Sequence, residues 1–241
     1  MEGPLILEAC LNGDRLRAEH PDVPISADEL AREAQAVVAA GADAIHVHPR
    51  EPGGRQTMGP RQCSAAIAAI RAAAPHTPVG VTTIASIEPD PARRVALLRR
   101  WTEKPDFVSV NWSEEGAAAL VIACVERDIG IEAGIWTEDD ARRFVESDLA
   151  KFCLRALVEP LSQSTAEALG TAERIVALLA PTGLPLVVHG HDRTTWAVLR
   201  WAVAHGHGIR IGLEDTLTLE GGLPVRGNAE LVAAAARLAG R

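Results

Sequence analysis

The sequence predicts a (β/α)8 barrel, the TIM barrel, and three observations predict it. Eight short apolar runs alternate with eight longer, Ala-rich amphipathic stretches. The chain has 241 residues, close to the ~250 typical of that fold. No linker-like composition interrupts the alternation, so a single domain over residues 1–241 is expected. A doubly wound open sheet alternates in the same way, but a count of eight favours closure.

The units follow in order. PLILEAC (4–10) has the length and apolar content of a buried parallel strand, and SADELAREAQAVVAAG (26–41) has helical spacing. Ser26 followed by Glu29 is a capping-box signature for that helix. DAIHVH (43–48) ends at a turn rich in Pro and Gly before GPRQCSAAIAAIRAAAP (59–75), and PVGVTT (78–83) precedes PARRVALLRRW (91–101). DFVSVN (106–111) pairs with SEEGAAALVIACVERD (113–128), and IGIEAGI (129–135) with TEDDARRFVESD (137–148). FCLRALVEP (152–160) is followed by SQSTAEALGTAERIVALLA (162–180), and LPLVVHG (184–190) by RTTWAVLRWAVAHG (193–206). GIRIGLED (208–215) and NAELVAAAARLAG (228–240) close the series, the helical members rich in Ala, Leu, Glu and Arg.

Bulk properties remove several function classes. The net charge is −8 and no block of Lys or Arg forms a cationic footprint, which argues against nucleic-acid and membrane partners. Cys10, Cys63, Cys124 and Cys153 are too scattered for a zinc ribbon or a redox pair and fit reduced thiols in a cytoplasmic protein. The opening MEGPLILEACLNGDR has too short an apolar run for a signal peptide, and no later run is long enough to span a bilayer.

In a TIM barrel the chemistry lies at the carboxyl ends of the strands. Those positions carry Glu8, Asn12, Asp14, His46, His48, Thr82, Thr83, Ser109, Asn111, Glu132, Glu159, His189, His191, Arg210, Glu214 and Asp215. Singly, each has an ordinary use as a cap or in an ion pair. His46 and His48 are i and i+2 on a strand, so they project together and can start a metal site. A carboxylate would complete a set that leaves one coordination position open. Glu214 is the best candidate, because the last strand closes beside the first, and His189 is its rival. Glu214 could instead be a structural partner of Arg210. Mixed imidazole and carboxylate ligands suit zinc. Lys104 and Lys151, the only lysines, precede strand runs and so belong at the opposite face, which argues against a Schiff-base aldolase.

The segments LILEACLNGDRLRAEHPDVPISADELAREAQAVVAAGADAIHVHPRE, VSVNWSEEG and IRIGLEDTLTL, before a terminal NAELVAAAARLA, make the chain resemble the beta-keto acid cleavage enzymes over nearly its whole length. The founding activity of that family is 3-keto-5-aminohexanoate cleavage. The resemblance implies a zinc-dependent TIM barrel that condenses a β-keto acid with acetyl-CoA to give acetoacetate and a new acyl-CoA. It implies His46, His48 and Glu214 as zinc ligands, Asp215 and Arg210 as the catalytic pair, and Thr82 and Ser109 as substrate contacts. Asn111, Asp14 and Glu132 complete the expected substrate-binding set.

Several features depart from the family pattern. The glycine-rich turn after the third strand reads TTIAS, the segment before Asp14 is one residue shorter, the chain is shorter at its end, and Gly134 replaces an acid that Asp14 or Glu132 would have to supply. In these roles the metal would offset charge as a carbon of acetyl-CoA adds to the ketone, Arg210 would share that charge, and Asp215 would move the proton. Arg50, Arg55 and Arg193 are candidates for the coenzyme phosphates, and Trp112 and Trp136 for a pocket wall or the core. The enzymatic alternative is a hydrolase using zinc-activated water. A noncatalytic binder, closed by His189 as a fourth ligand, is the alternative from another class. A homo-oligomer is also expected.

Overall fold

A computed structural model describes residues 5–241. Eight parallel strands close into one barrel, each neighbouring the next in sequence and the eighth pairing with the first. They are β1 (Leu7–Cys10), β2 (Ala44–Val47), β3 (Val79–Thr82), β4 (Phe107–Asn111), β5 (Gly130–Ile135), β6 (Arg155–Val158), β7 (Leu186–Val188) and β8 (Gly208–Ile211). Nearly every strand residue is buried, as expected where helices cover the outside and side chains fill the inside. The helices are α1 (Ala27–Ala39), α2 (Pro60–Ala73), α3 (Pro91–Leu98), α4 (Ala117–Glu126), α5 (Glu138–Glu146), α6 (Thr165–Leu179), α7 (Thr195–Ala204) and α8 (Asn228–Leu238).

The local signals behave as their chemistry requires. Ser26 and Glu29 make the reciprocal capping box on α1. Apolar residues of every helix face the strands, with Leu30, Ala34 and Val37 of α1 and Ala168, Ala172, Ile175 and Leu179 of α6 buried in the core. Trp112 belongs to that core, packed edge-to-face on Phe144 at 4.7 Å. All four cysteines are buried and free. Lys104 and Lys151 lie before β4 and β6, at the amino-end face. Among the described residues, no helix is long and apolar enough to cross a membrane.

The last strand ends sooner than its apolar run. β8 stops at Ile211, and Gly212 passes so close to β1 that a Cβ there would lie 1.8 Å from the Cys10 carbonyl oxygen. The chain then turns, with the Asp215 and Thr216 N–H groups donating to the Gly212 carbonyl. Glu214 and Asp215 therefore leave from a turn rather than from alternating strand positions. This lets both adjacent carboxylates reach Arg210.

Inside the barrel, Arg155 of β6 bridges two carboxylates, Nε to Glu132 Oε1 at 2.5 Å and Nη2 to Glu8 Oε2 at 2.6 Å. Its guanidinium also lies 4.4 Å from the centre of the Phe107 ring.

Candidate active site

β2 brings His46 and His48 to one side with ring centroids 5.3 Å apart, both almost fully buried. Asn12, just past β1, clamps the end of this strand. Its Oδ1 accepts the His48 N–H at 2.9 Å and its Nδ2 donates to the His48 carbonyl at 2.9 Å. Gln56, in the loop after β2, places Oε1 2.5 Å from His48 Nδ1, so Nδ1 is the protonated nitrogen and Nε2 keeps its lone pair. That Nε2 lies 3.5 Å from Glu214 Oε1. Gly13, at φ +50°, leaves the space that the Glu214 side chain fills, because a Cβ there would come within 2.3 Å of Glu214 Cγ.

Ligand atoms of His46, His48 and Glu214 lie within 4.8 Å of one another. His46 Nδ1 and Glu214 Oε2 are buried with no hydrogen-bond partner, and such atoms are costly unless something else satisfies them. Burial, outweighing the pull of Glu214, pushes the His46 pKa down to about 3, so the ring is neutral and its lone pair is available. The donor set fits a divalent metal with an open position. Glu214 also accepts from Arg210, so the ion pair considered from the sequence exists alongside the convergence on the imidazoles. Burial opposes its ionisation, but Arg210 and then His48 hold the Glu214 carboxyl well below the usual range.

Arg210 donates to Asp215 Oδ1 through Nη2 at 3.1 Å and Nε at 3.3 Å. Asp215 is fully buried, yet Arg210 and then His189 hold it below its ordinary pKa. Its second oxygen, Oδ2, has no hydrogen-bond partner. A guanidinium thus fixes one oxygen of a buried carboxylate and leaves the other free for a proton.

A cavity of about 390 Å³ opens above these groups, and Asp14, Arg15, His48, Glu159, His191 and Glu214 are among its walls. Asp14 is exposed there, and Arg15 crosses to an ion pair with Asp192. Thr82, Ser109 and Asn111 are nearly buried at the ends of β3 and β4. Asn111 Nδ2 donates to Glu114 Oε1, and Thr82 Oγ1 accepts the Ile84 N–H.

Three expectations change. Glu132, expected to meet substrate, is fully buried and paired with Arg155. Arg50, considered for coenzyme phosphates, is buried and donates to the carbonyls of Gly54, Gly13 and Arg15, so it holds two loops together. His189 is grouped with Glu159 and His191, away from His46 and His48. Trp136 is half-buried just past β5, and its Nε1 donates to Glu159 Oε2 at 2.9 Å. Gln56, which positions His48, was not singled out from the sequence, and a polar residue eight positions on in a Gly-rich loop carries no periodic signal.

Fold and rim together define a TIM barrel with a candidate metal centre beside a buried acid. The chain belongs to the beta-keto acid cleavage enzyme family, whose profile matches residues 4–145 and 140–241. It is 28% identical to a 3-keto-5-aminohexanoate cleavage enzyme of Fusobacterium nucleatum, over 98% of this chain and 91% of that one. A second enzyme of that name, from Acetoanaerobium sticklandii, is 25% identical over the same shares. Among solved structures, the 3-dehydroquinate dehydratase of Geobacillus kaustophilus shares the fold, with TM-score 0.63, 14% identity, 99% of this chain and 93% of that one covered.

Proposed function

We propose that the protein is a zinc-dependent enzyme that condenses a β-keto acid with acetyl-CoA and releases acetoacetate and a new acyl-CoA. The observation that carries this reading is the convergence of His46, His48 and Glu214, with unpaired buried atoms, next to the Arg210–Asp215 pair in a chain of this family. Zinc held by these three residues would supply a Lewis acid for the substrate's ketone and carboxylate oxygens.

The chain's own residues do the rest. Acetoacetate keeps C1 and C2 of the β-keto acid and gains an acetyl group, so C2 must bond to the acetyl carbonyl carbon while the C2–C3 bond breaks. The coenzyme sulfur leaves the acetyl group and ends on C3. Product balance thus makes the keto acid's C2 the attacking carbon, in place of the acetyl-CoA carbon first expected. Asp215 Oδ2 takes one C2 proton and returns it to C2 after cleavage, while Arg210 fixes Oδ1 and offsets negative charge. Thr82, Ser109 and Asn111 are proposed as contacts along the substrate. Asp14, exposed to the cavity, is the acid that faces its side chain in place of the one missing at Gly134.

The test is a panel of β-keto acids incubated with and without acetyl-CoA, following acetoacetate and acyl-CoA. Acetoacetate formation that requires acetyl-CoA is expected. Equal consumption without the cosubstrate would make the protein a hydrolase and overturn the reading. Elemental analysis should find about one zinc per chain. Replacing the residue that orients His48, Gln56→Leu, should weaken zinc about 10–100-fold in a chelator competition, the usual cost of losing such a partner. An unchanged affinity would remove Gln56 from that role. A cytoplasmic homo-oligomer belongs to the same reading, supported by the exposed Ile122 and Val125 on α4, and light scattering that gives a monomer mass would remove the assembly.

A further inference from the structure

The two histidines after β7 are left unused by this chemistry. His189 is fully buried, and each of its ring nitrogens faces a carboxylate, Nδ1 3.2 Å from Asp215 Oδ1 and Nε2 3.7 Å from Glu159 Oε2. Both are ion-pair approaches, and by hydrogen-bond geometry neither nitrogen has a partner. Glu159 is itself clamped. Trp136 Nε1 donates to Oε2 at 2.9 Å, and His191 Nε2 lies 2.5 Å from Oε1. The Glu159 carboxylate can only accept, so His191 Nε2 carries the proton and donates to it, while the Thr194 N–H donates to the His191 carbonyl.

Ligand atoms of Glu159, His189 and His191 are close enough together to suggest a second metal site. The hydrogen bonding argues otherwise. His191 Nε2 is taken up as a donor to Glu159, and the nitrogens of His189 face two different carboxylates rather than one point. An indole and an imidazole donor on Glu159 and a guanidinium on Asp215 instead make a continuous series of hydrogen bonds and ion-pair contacts, from His191 at the cavity wall through Glu159 and His189 to Asp215 and Arg210.

We infer that His189 is a positioning residue for Asp215, an imidazole bridge that ties the buried acid to the rigidly held Glu159 and keeps Asp215 Oδ2 turned toward substrate. This rests on Asp215 being the proton-transfer group proposed above. Two carboxylates flanking one imidazole favour its doubly protonated form. Burial and Arg210 push the His189 pKa down, but Asp215 and Glu159 outweigh them and bring it up to about 9. Burial would raise the Glu159 pKa, and His189 and His191 hold it well below the carboxylate range. An imidazolium between two anions restrains Asp215 through Oδ1 and leaves Oδ2, the oxygen that moves the proton, without a partner.

The experiment combines kinetics with ¹⁵N-histidine NMR on the full-length, zinc-loaded protein. In His189→Gln, kcat with acetyl-CoA and a β-keto acid should fall on the order of 10–100-fold, as when other supporting partners of a reactive centre are lost. KM and zinc content should stay within about twofold, the pattern of a group that acts only on the chemical step. Glu159→Gln should lower kcat less, and adding it to His189→Gln should have little further effect, because both act through the same bridge. In the spectrum, His189, assigned by its loss in His189→Gln, should be doubly protonated at pH 7, and its signals should move in both Asp215→Asn and Glu159→Gln. A folded His189→Gln with unchanged kcat, or with only KM raised, would overturn the inference. So would a neutral His189 whose signals ignore Asp215→Asn. If the wild-type protein shows no acetyl-CoA-dependent turnover, the function proposed above fails, and the NMR result alone decides whether His189 bridges Asp215 and Glu159.

Discussion

Asp215→Asn is expected to keep its zinc and lose its turnover. Asparagine preserves the shape of the side chain and one acceptor for Arg210, so the packing around the fully buried site changes little. What disappears is the ability of Oδ2 to hold a proton. The metal should remain, because the proposed ligands are His46, His48 and Glu214, and the turn after Gly212 presents Glu214 separately from Asp215. A general acid-base group contributes about 10²–10⁴-fold, so kcat should fall by roughly two to four orders of magnitude. Substrate affinity should change little. The measurement pairs single-turnover kinetics with elemental analysis of the same preparation. Loss of zinc in Asp215→Asn with retention in Glu214→Gln would exchange the two assignments.

The barrel is legible because its determinants are local. Runs such as DAIHVH and PVGVTT are too short and apolar for anything but buried strands, and stretches such as SADELAREAQAVVAAG carry both helical spacing and their own cap. His46 and His48 are legible for the same reason, since a two-residue separation on a strand sets their direction without reference to the rest of the chain. Glu214 required the closure of β8 on β1, which the fold class supplies.

What the sequence hides are pairings decided by the far side of the barrel. Glu132 and Glu8 look like rim acids, but which way each points, and whether a cation meets it, depends on Arg155, which lies 23 and 147 residues away. His189 looks like a ligand until the turn at Gly212 sets Asp215 beside it. Arg50 looks like a free cation at the mouth, and only the folded loops show the three carbonyls that claim it.

Arg155 carries the largest expected effect on stability. Among the described residues it is the only cation in contact with the two fully buried acids Glu8 and Glu132. Arg155→Met keeps much of the side-chain volume but leaves two acids facing each other in the barrel interior. Breaking a buried pair from one side costs about 3–5 kcal/mol, a large fraction of the roughly 5–15 kcal/mol that holds a protein folded. Urea unfolding should show that loss. Arg155→Lys should recover only part of it, because one ammonium cannot reproduce the two-pronged contact.

Glu8→Gln should be far milder, because burial and then the Glu132 charge push the Glu8 pKa up to about 8 and leave it protonated at neutral pH. The pH dependence follows from that direction. Between about pH 4.5 and 8 the unfolded chain releases the Glu8 proton while the folded chain keeps it, so this group makes stability fall as pH rises. Glu132 is shifted downward, so its contribution is full above about pH 4.5 and is lost only as pH falls below that value. Glu8→Gln should therefore remove a downward slope in stability between pH 5 and 8, seen as the difference between wild-type and variant urea midpoints across that range. An Arg155 whose loss costs under about 1 kcal/mol, the scale of an exposed pair, would mean that Arg155 and Glu132 are not held as a buried ion pair at all.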